Sequence, residues 1–198
     1  MPGALPRCVW CVAHSGPGYS GVRTEHGTSE QEVSMTAGGI FAALLQDCGW
    51  TCDIVAGIQS QSCAKANELR KGYEGVPAIE LHMNAVPPKA DLEHWKFGHL
   101  LQHHTGVHAE KELARSINTA LGIVMPWSDL IDIIEQPDPN YPNMAFLRGV
   151  SSPAVLVEAG FVNDPRFSQW IDEAKNQKSL GWALASAVVG YPIGEKEV

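Results

Sequence analysis

The chain has 198 residues, of which 44% are hydrophobic and 18% charged, and its formal net charge is −8. That length suits one domain with a core that needs no disulfides to be stable. A negative net charge with no cluster of Lys and Arg argues against a nucleic-acid-binding role, and no apolar stretch is long enough to cross a bilayer.

The five cysteines are odd in number and irregularly spaced, which argues against a disulfide framework. Cys8 and Cys11 form a C-x-x-C pair inside an apolar run that is predicted as a strand, where residues three apart point to opposite faces. We therefore expect buried free thiols in a protein made in a reducing compartment. Met1–Arg7 lacks the apolar core of a secretory signal, so we expect synthesis in the cytoplasm without a signal peptide.

Strand-like and helix-like segments alternate along the chain. Short apolar runs rich in strand-forming residues predict strands, and apolar residues at helical spacing predict helices. In chain order we expect a strand at 8–13, a Gly-rich loop, a helix from a Ser29/Glu32 capping box to Gly49, a strand at 51–55, a helix at 62–71, a strand at 77–82, a helix at 108–121, strands at 122–125 and 153–157, and helical structure over 167–189.

Glycines inside two of these helices weaken the assignment. Gly38 and Gly39 lower the helix propensity of the first long helix, and the last helix is expected to break near Gly181. The Pro-rich stretch 137–142 is typical of a surface loop. The alternation predicts an α/β fold in a single domain, 1–198, with a central twisted, mostly parallel or mixed sheet flanked by helices on both faces.

Four polar residues lie where α/β proteins place their functional sites. His14 follows the first predicted strand, His82 ends the third, Glu158 follows a buried apolar run, and Glu30 begins the first long helix. Two imidazoles and a carboxylate are a common ligand set for catalytic zinc, and a second carboxylate near the zinc water can act as a general base. Taken singly, each residue also has an ordinary structural role, and their sequence separations alone do not place them in one site.

Four segments of the chain carry recognisable motifs. They are His14-Ser15-Gly16, Thr28-Ser29-Glu30-Gln31-Glu32-Val33, Glu80-Leu81-His82-Met83-Asn84-Ala85 and Pro153-Ala154-Val155-Leu156-Val157-Glu158-Ala159-Gly160-Phe161. They resemble, in order, the His-Gly-Gly loop, the helix-opening Glu, the Ser-Leu/Ile-His-x-Asn-Ala strand and the Pro-Ala-Val-Leu-Val-Glu-x-Gly-Phe motif of the zinc-dependent N-acetylmuramoyl-L-alanine amidases of the amidase-3 class. The last two matches are the most specific, and the first departs from the pattern at Ser15.

The resemblance implies a zinc-exopeptidase-like fold and one Zn²⁺ held by His14, Glu30 and His82, with Glu158 as the catalytic base. Glu32 is a rival to Glu30, which we prefer because the residues that follow it then align with the family's helix. The implied reaction is hydrolysis of the amide bond between N-acetylmuramic acid and L-alanine in bacterial peptidoglycan. A catalytic domain without an export signal resembles a phage or prophage endolysin, which reaches the cell wall after release, and we expect a monomer.

Two other interpretations remain open. His-Ser-Gly after a strand also resembles the N-formylglutamate amidohydrolases, with the zinc carboxypeptidases as more distant relatives. These enzymes would need an Arg that grips a substrate carboxylate, for which Arg23, Arg115 and Arg148 are candidates. The chain could also be a non-catalytic binding module that keeps the fold, although the presence of all four candidate residues argues against it.

The other notable group is a set of four histidines, His99, His103, His104 and His108. They could form a second metal site. The favoured interpretation is a solvated helix face or a loop near the cleft.

Overall fold

A computed structural model describes residues 5–73, 75–87, 91, 93, 95–138 and 144–190. Within these residues the chain forms six strands and six helices. In chain order they are β1 (Arg7–Val12), α1 (Glu30–Asp47), β2 (Thr51–Val55), α2 (Gln59–Arg70), β3 (Ala78–Asn84), β4 (His99–His104), α3 (His108–Val124), β5 (Leu130–Gln136), α4 (Ala145–Gly149), β6 (Ala154–Phe161), α5 (Pro165–Ile171) and α6 (Ala174–Val189).

The strands form one mixed sheet in the order β2-β1-β3-β6-β4-β5. β2, β1, β3 and β6 run parallel, whereas β4 is antiparallel to β6 and parallel to β5. The carboxyl ends of β1, β3 and β6 therefore meet at one edge of the sheet, the usual place for a ligand site in an α/β fold. The predicted α/β architecture with a mixed sheet is confirmed.

Helices cover both faces of this sheet and create two apolar cores. The larger core lies under α1, α3, α5 and α6 and includes Trp10 and Phe41. The smaller core lies under α2 and α4 and includes Cys11, Phe146 and Leu156. Trp10 and Cys11 are adjacent in β1 yet lie in different cores, because successive side chains of a strand point to opposite faces.

The same alternation explains the cysteine pair. Cys8 packs in the larger core and Cys11 in the smaller one, so the prediction that they face opposite ways is confirmed. All five thiols are free, and only Cys48 is exposed. Burial raises the pKa of both the Cys8 and Cys11 thiols, which keeps them protonated and unreactive.

Two helical glycines allow close packing. A Cβ on Gly38 would lie 2.5 Å from Trp10 Nε1, and one on Gly181 would lie 2.2 Å from the carbonyl oxygen of Ala37. Such distances are shorter than any real contact, so a glycine is needed where α1 meets β1 and where α6 meets α1. The predicted break at Gly181 is wrong because α6 continues through it, and the two C-terminal helices separate instead at Asp172 and Glu173.

Most of the other expected elements are present within a few residues of their predicted bounds, but one expected strand is absent and three observed elements were not predicted. The strand predicted at 122–125 is wrong, since residues 122–124 complete α3; a four-residue apolar run is too short to distinguish a strand from a helix. The sequence patterns also missed β4, β5 and α4. The Pro-rich loop lies mostly outside the described residues. Among the described helices, none is long and apolar enough to span a membrane.

The histidine-rich segment differs from the favoured prediction of a solvated helix face or loop. His99, His103 and His104 lie in β4, and the first two are buried, whereas His108 begins α3 and is exposed. The His99 ring bonds to Ser128 Oγ and to Asn118 Oδ1 at 3.1 and 2.8 Å. Side-chain partners from neighbouring elements thus allow imidazoles to be buried in a strand whose polarity suggested a surface segment.

Glu110, fully buried on α3, connects four elements at the other edge of the sheet. Its carboxylate accepts hydrogen bonds from the backbone N–H groups of His104 (2.6 Å) and Ala154 (2.8 Å), and lies 2.8 Å from His104 Nδ1. The other ring nitrogen of His104 donates to the carbonyl oxygen of Leu147 at 2.7 Å. Glu110 therefore fixes the start of β6 and the end of α4 against α3 and β4.

We expect Glu110→Ala to lower the free energy of unfolding by about 3 kcal/mol or more, because it leaves buried N–H groups and an imidazole without an acceptor. The matched control is Glu112→Ala on the same helix, which removes an exposed ion pair with Arg115 and should cost less than about 1 kcal/mol. Urea unfolding monitored by circular dichroism measures both values. Equal losses in the two variants would contradict the anchoring role of Glu110.

Candidate metal centre

His14 lies at the sheet edge, two residues after the end of β1. Its backbone has φ 50°, a left-handed conformation that is uncommon for a non-glycine residue. The next residue, Ser15, fixes this turn: its hydroxyl oxygen accepts a hydrogen bond from Gly57 N–H at 2.7 Å and lies 3.0 Å from the carbonyl oxygen of Val12. Ser15, which replaces a glycine of the resembled motif, thus ties the His14 turn to the loop after β2.

Glu30 is the first residue of α1 and is held from several directions. Ser29 caps the helix by accepting a hydrogen bond from Glu32 N–H at 3.2 Å. The Glu30 carboxylate accepts hydrogen bonds from Val22 N–H at 3.0 Å and from Met83 N–H at 3.1 Å. The carboxylate is buried at the sheet edge, whereas Glu32 is exposed to solvent.

His82 completes the group from β3, which continues two residues beyond it to Asn84. Its Nδ1 lies 2.7 Å from Glu30 Oε1, and His14 Nε2 lies 3.3 Å from Glu30 Oε2. The two imidazole rings stand at 90° with centroids 5.1 Å apart. One potential ligand atom from each of His14, Glu30 and His82 lies within 4.8 Å of the other two.

The structure places a fourth residue, Glu80, beside these three, and the sequence interpretation did not identify it. Glu80 precedes His82 by two residues in β3, so both side chains lie on the same face of the strand. Glu80 Oε2 lies 2.8 Å from His82 Nε2, and Gln59 at the start of α2 donates to Glu80 Oε1 at 3.0 Å. The available sequence signal was a charged residue two positions before a candidate ligand within an otherwise apolar strand.

Glu158 lies inside β6 rather than after it, since the strand runs on to Phe161. It pairs with His82 across the parallel ladder, which brings its buried carboxylate to the same edge of the sheet. Its Oε2 has no hydrogen-bond partner among the described residues. Burial raises the pKa of Glu158 to about 7, with His82 opposing the shift and Glu30 reinforcing it.

Hydrogen bonding determines the charges of Glu30 and His82. Burial alone would raise the pKa of Glu30, but hydrogen bonds from His14 and His82 lower it to about 2. Burial alone would lower the pKa of His82, whereas its bonds to Glu30 and Glu80 raise it well above the usual value. The chain therefore holds an ionised Glu30 carboxylate between two imidazoles.

These groups lie at the bottom of a cleft of about 350 Å³. Tyr19, Met144 and Asn84 are among the residues that line it, and Tyr19 packs edge-on against His14 with ring centroids 4.9 Å apart. Among the described residues the lining contains no Arg or Lys. Gln59 and Ala145 line both this cleft and a second groove beside it. Arg148 lines the second groove.

The three arginines considered as ligands for a substrate carboxylate do not line this cleft. Arg23 donates to the carbonyl oxygen of Gly27 and to Ser20 Oγ, within its own loop. Arg115 pairs with Glu112 on the surface of α3. Arg148 is exposed on α4, in the neighbouring groove.

The donor set fits a divalent transition metal. Two imidazole nitrogens and one carboxylate oxygen, clustered at a buried edge with an open cleft in front, match the protein ligands of a catalytic zinc site that keeps a position for water. The unpartnered Glu158 oxygen beside them is the type of group that a water in this cleft would satisfy. His14, Glu30 and His82 are thus the residues that could hold the ion.

Comparisons with known proteins agree with this architecture. The model of the family described as Amidase_3, N-acetylmuramoyl-L-alanine amidase, matches residues 9–189. A solved N-acetylmuramoyl-L-alanine amidase from Clostridium difficile 630 is 18% identical, with a TM-score of 0.77 over 94% of this chain and 96% of that one. AmiC2 of Nostoc punctiforme is also 18% identical, with a TM-score of 0.75 over the same shares.

A third solved structure, the catalytic domain of the CD27L endolysin targeting Clostridia difficile, is 14% identical, with a TM-score of 0.69 over 96% of this chain and 100% of that one. These structural likenesses support the fold. A search of curated protein sequences found no match.

The loop before α1 generates a prediction about the metal centre. A Cβ on Gly21 would lie 2.1 Å from Glu30 Oε2, so Gly21→Ala must displace the carboxylate. Gly18 has nearly the same positive φ, 79° against 76°, but nothing lies within 4 Å of a Cβ there. We expect Gly21→Ala to weaken Zn²⁺ binding about tenfold or more, and Gly18→Ala to bind Zn²⁺ like wild type.

Competition with a fluorescent chelator measures the Zn²⁺ affinity of both variants. Both carry a left-handed alanine, which costs roughly 1 kcal/mol of stability, so urea unfolding should show that shared loss. If the two variants bind Zn²⁺ equally well, the contact between Gly21 and Glu30 does not control the ligand position.

Proposed function

We propose that this chain, which belongs to the Amidase_3 family of N-acetylmuramoyl-L-alanine amidases, hydrolyses the amide bond between N-acetylmuramic acid and L-alanine in bacterial peptidoglycan with one bound Zn²⁺. One observation carries the proposal beyond family membership. The cluster of His14, Glu30 and His82 shares its cleft with Glu158, a buried carboxylate that has an unpartnered oxygen.

Each residue has a role in this proposal that follows from its position. His14, Glu30 and His82 would hold the zinc ion, which when bound supplies Lewis-acid chemistry by acidifying water and polarising the amide carbonyl. Glu158 accepts the proton of the attacking water and then delivers it to the leaving nitrogen, so that the C–N bond breaks to release an amine. Burial raises the pKa of Glu158 to about 7 in the metal-free chain, and a divalent cation held by the three ligands would favour its ionised, proton-accepting form.

The alternative zinc hydrolases receive less support from the cleft. An enzyme for an acyl-amino acid or a peptide C-terminus needs a cation beside the reacting bond to hold the free carboxylate. In the described part of the chain no Arg or Lys lines the cleft. An internal amide of a polymer, which has no free carboxylate next to it, fits this lining better.

The non-catalytic alternative conflicts with the burial of Glu158. A binding module has no use for a carboxylate whose Oε2 is buried without a hydrogen bond among the described residues, because such burial is costly. A general base that must meet a water in the cleft accounts for it.

We further propose a phage or prophage endolysin role. It is supported by the similarity to an endolysin catalytic domain over 96% of this chain. Expression in the bacterial cytoplasm followed by permeabilisation of the inner membrane should then lyse the cells, while Glu158→Gln should not. Intact cells after permeabilisation, despite activity on purified wall, would count against this role.

Product analysis tests the proposed reaction. Digestion of purified peptidoglycan should release stem peptides with a new amino terminus at L-alanine, and should leave the number of reducing sugar ends unchanged. Glu158→Gln keeps the shape of the side chain but removes the base, so turnover should fall roughly a hundredfold or more. The variant should still fold and bind Zn²⁺. Mass spectrometry of the fragments and a reducing-end assay provide the measurements.

Two results would contradict parts of this proposal. An increase in reducing ends would mean that the enzyme cuts glycan rather than the amide bond. Near-normal turnover by Glu158→Gln would mean that Glu158 is structural.

The assignment of Glu30 instead of Glu32 gives a matched pair of variants. Glu30→Gln replaces a buried ligand candidate and should lose Zn²⁺ affinity. Glu32→Gln, two residues further along α1 and exposed, should keep Zn²⁺ affinity and change the free energy of unfolding by less than about 1 kcal/mol. Metal content after dialysis, measured by mass spectrometry, reports the difference. The reverse pattern would show that the ligand lies two residues further along the chain.

A further inference from the structure

We propose that Glu80 is a positioning residue of the metal centre, which holds the His82 ring in the tautomer and orientation that direct Nδ1 toward the metal. This inference rests on the proposed function, because it concerns the same zinc site. Its basis is a buried hydrogen-bonded chain that runs from Gln59 through Glu80 and His82 to Glu30.

The burial of Glu80 is the first observation. Only 1% of its surface is exposed, and its neighbours in the sheet are Cys11 of β1 and Leu156 of β6, both part of the smaller apolar core. A carboxylate in such surroundings is costly unless its oxygens are paired. Among the described residues its oxygens bond to His82 and Gln59, one partner for each oxygen.

The second observation is that the two ring nitrogens of His82 have different hydrogen-bond partners. Nδ1 lies 2.7 Å from Glu30 Oε1, on the side of the ligand cluster, whereas Nε2 lies 2.8 Å from Glu80 Oε2. At this distance the ring N–H of Nε2 donates to the carboxylate oxygen of Glu80. In the neutral ring that binds a metal, Nδ1 is then the nitrogen with the free lone pair, and it points at the ligand cluster.

The third observation is that Glu80 itself is fixed. Gln59 lies at the start of α2, and its amide N–H donates to Glu80 Oε1 at 3.0 Å. With one oxygen held by Gln59 and the other on His82, the carboxylate has little freedom to rotate. The resembled strand motif has Ser where this chain has Glu80.

The decisive variant is Glu80→Leu, tested on the full chain. Leucine has a similar volume and removes the acceptor, which leaves His82 Nε2 and the Gln59 amide without their partner. We expect Zn²⁺ affinity to fall about 10- to 100-fold, as for loss of a carboxylate partner of a ligating histidine. Because buried donors lose their acceptor, the EDTA-treated variant should also melt below wild type, so Zn²⁺ affinity is compared at a temperature where both proteins are folded.

Two further variants separate positioning from charge. Glu80→Gln keeps an acceptor oxygen near Nε2 and should lose less Zn²⁺ affinity than Glu80→Leu. Glu158→Gln removes a negative charge at the same edge but no hydrogen bond of His82, so it should lose less affinity still. The absorption spectrum of bound Co²⁺, which depends on ligand geometry, should change in Glu80→Leu and stay close to wild type in Glu32→Gln, whose side chain is exposed.

The outcomes are distinguishable. If wild type binds Zn²⁺ and Glu80→Leu binds it equally well, the positioning role is refuted while the proposed function stands. If Glu80→Leu loses stability in EDTA but not Zn²⁺ affinity, Glu80 is a structural residue and the inference is again wrong. If wild type binds no Zn²⁺, the proposed metal centre fails, and the role of Glu80 fails with it.

Discussion

The site depends on one buried carboxylate. Glu30 receives hydrogen bonds from the loop before α1 and from the backbone of β3, and it lies between the imidazoles that follow β1 and belong to β3. Those elements come from distant parts of the chain, and each contributes to one small volume at the sheet edge. Any change in the register of β1 against β3, or in the start of α1, would therefore separate the candidate ligands.

The topology explains how this convergence is possible. Parallel strands deliver their carboxyl ends to the same edge, so His14, His82 and Glu158 meet although they are far apart in sequence. α1 lies on the opposite face of the sheet from α2, yet its first turn reaches the edge and brings Glu30 with it. Close packing at Gly38 and Gly181 holds that helix against β1 and α6, which supports the placement of its first residue.

The sequence predicted much of this arrangement because its strongest signals are local. The alternating α/β elements and the capping residue Ser29 follow from periodicity and turn chemistry, and motif resemblance selected the four candidate site residues. Strand β4 could not be predicted in the same way: His99 is buried because Ser128 and Asn118 from other elements bond to its ring, and the half-buried His104 bonds to Glu110 of α3. Glu80 was missed for a related reason, since its hydrogen-bond partner Gln59 belongs to α2, a separate element of the chain.

Charge balance gives the last connection between fold and chemistry. Three buried carboxylates, Glu30, Glu80 and Glu158, surround two imidazoles, and such a group tolerates ionisation only if positive charge compensates it. In the metal-free chain, His82 supplies part of that charge, since its pKa is raised by Glu30 and Glu80 against the opposing effect of burial. A divalent cation bound by neutral imidazoles would take over this role without a proton on His82 Nδ1. Glu80 would still accept the hydrogen bond from Nε2–H, so it would hold the His82 ring in both the metal-free and the metal-bound chain.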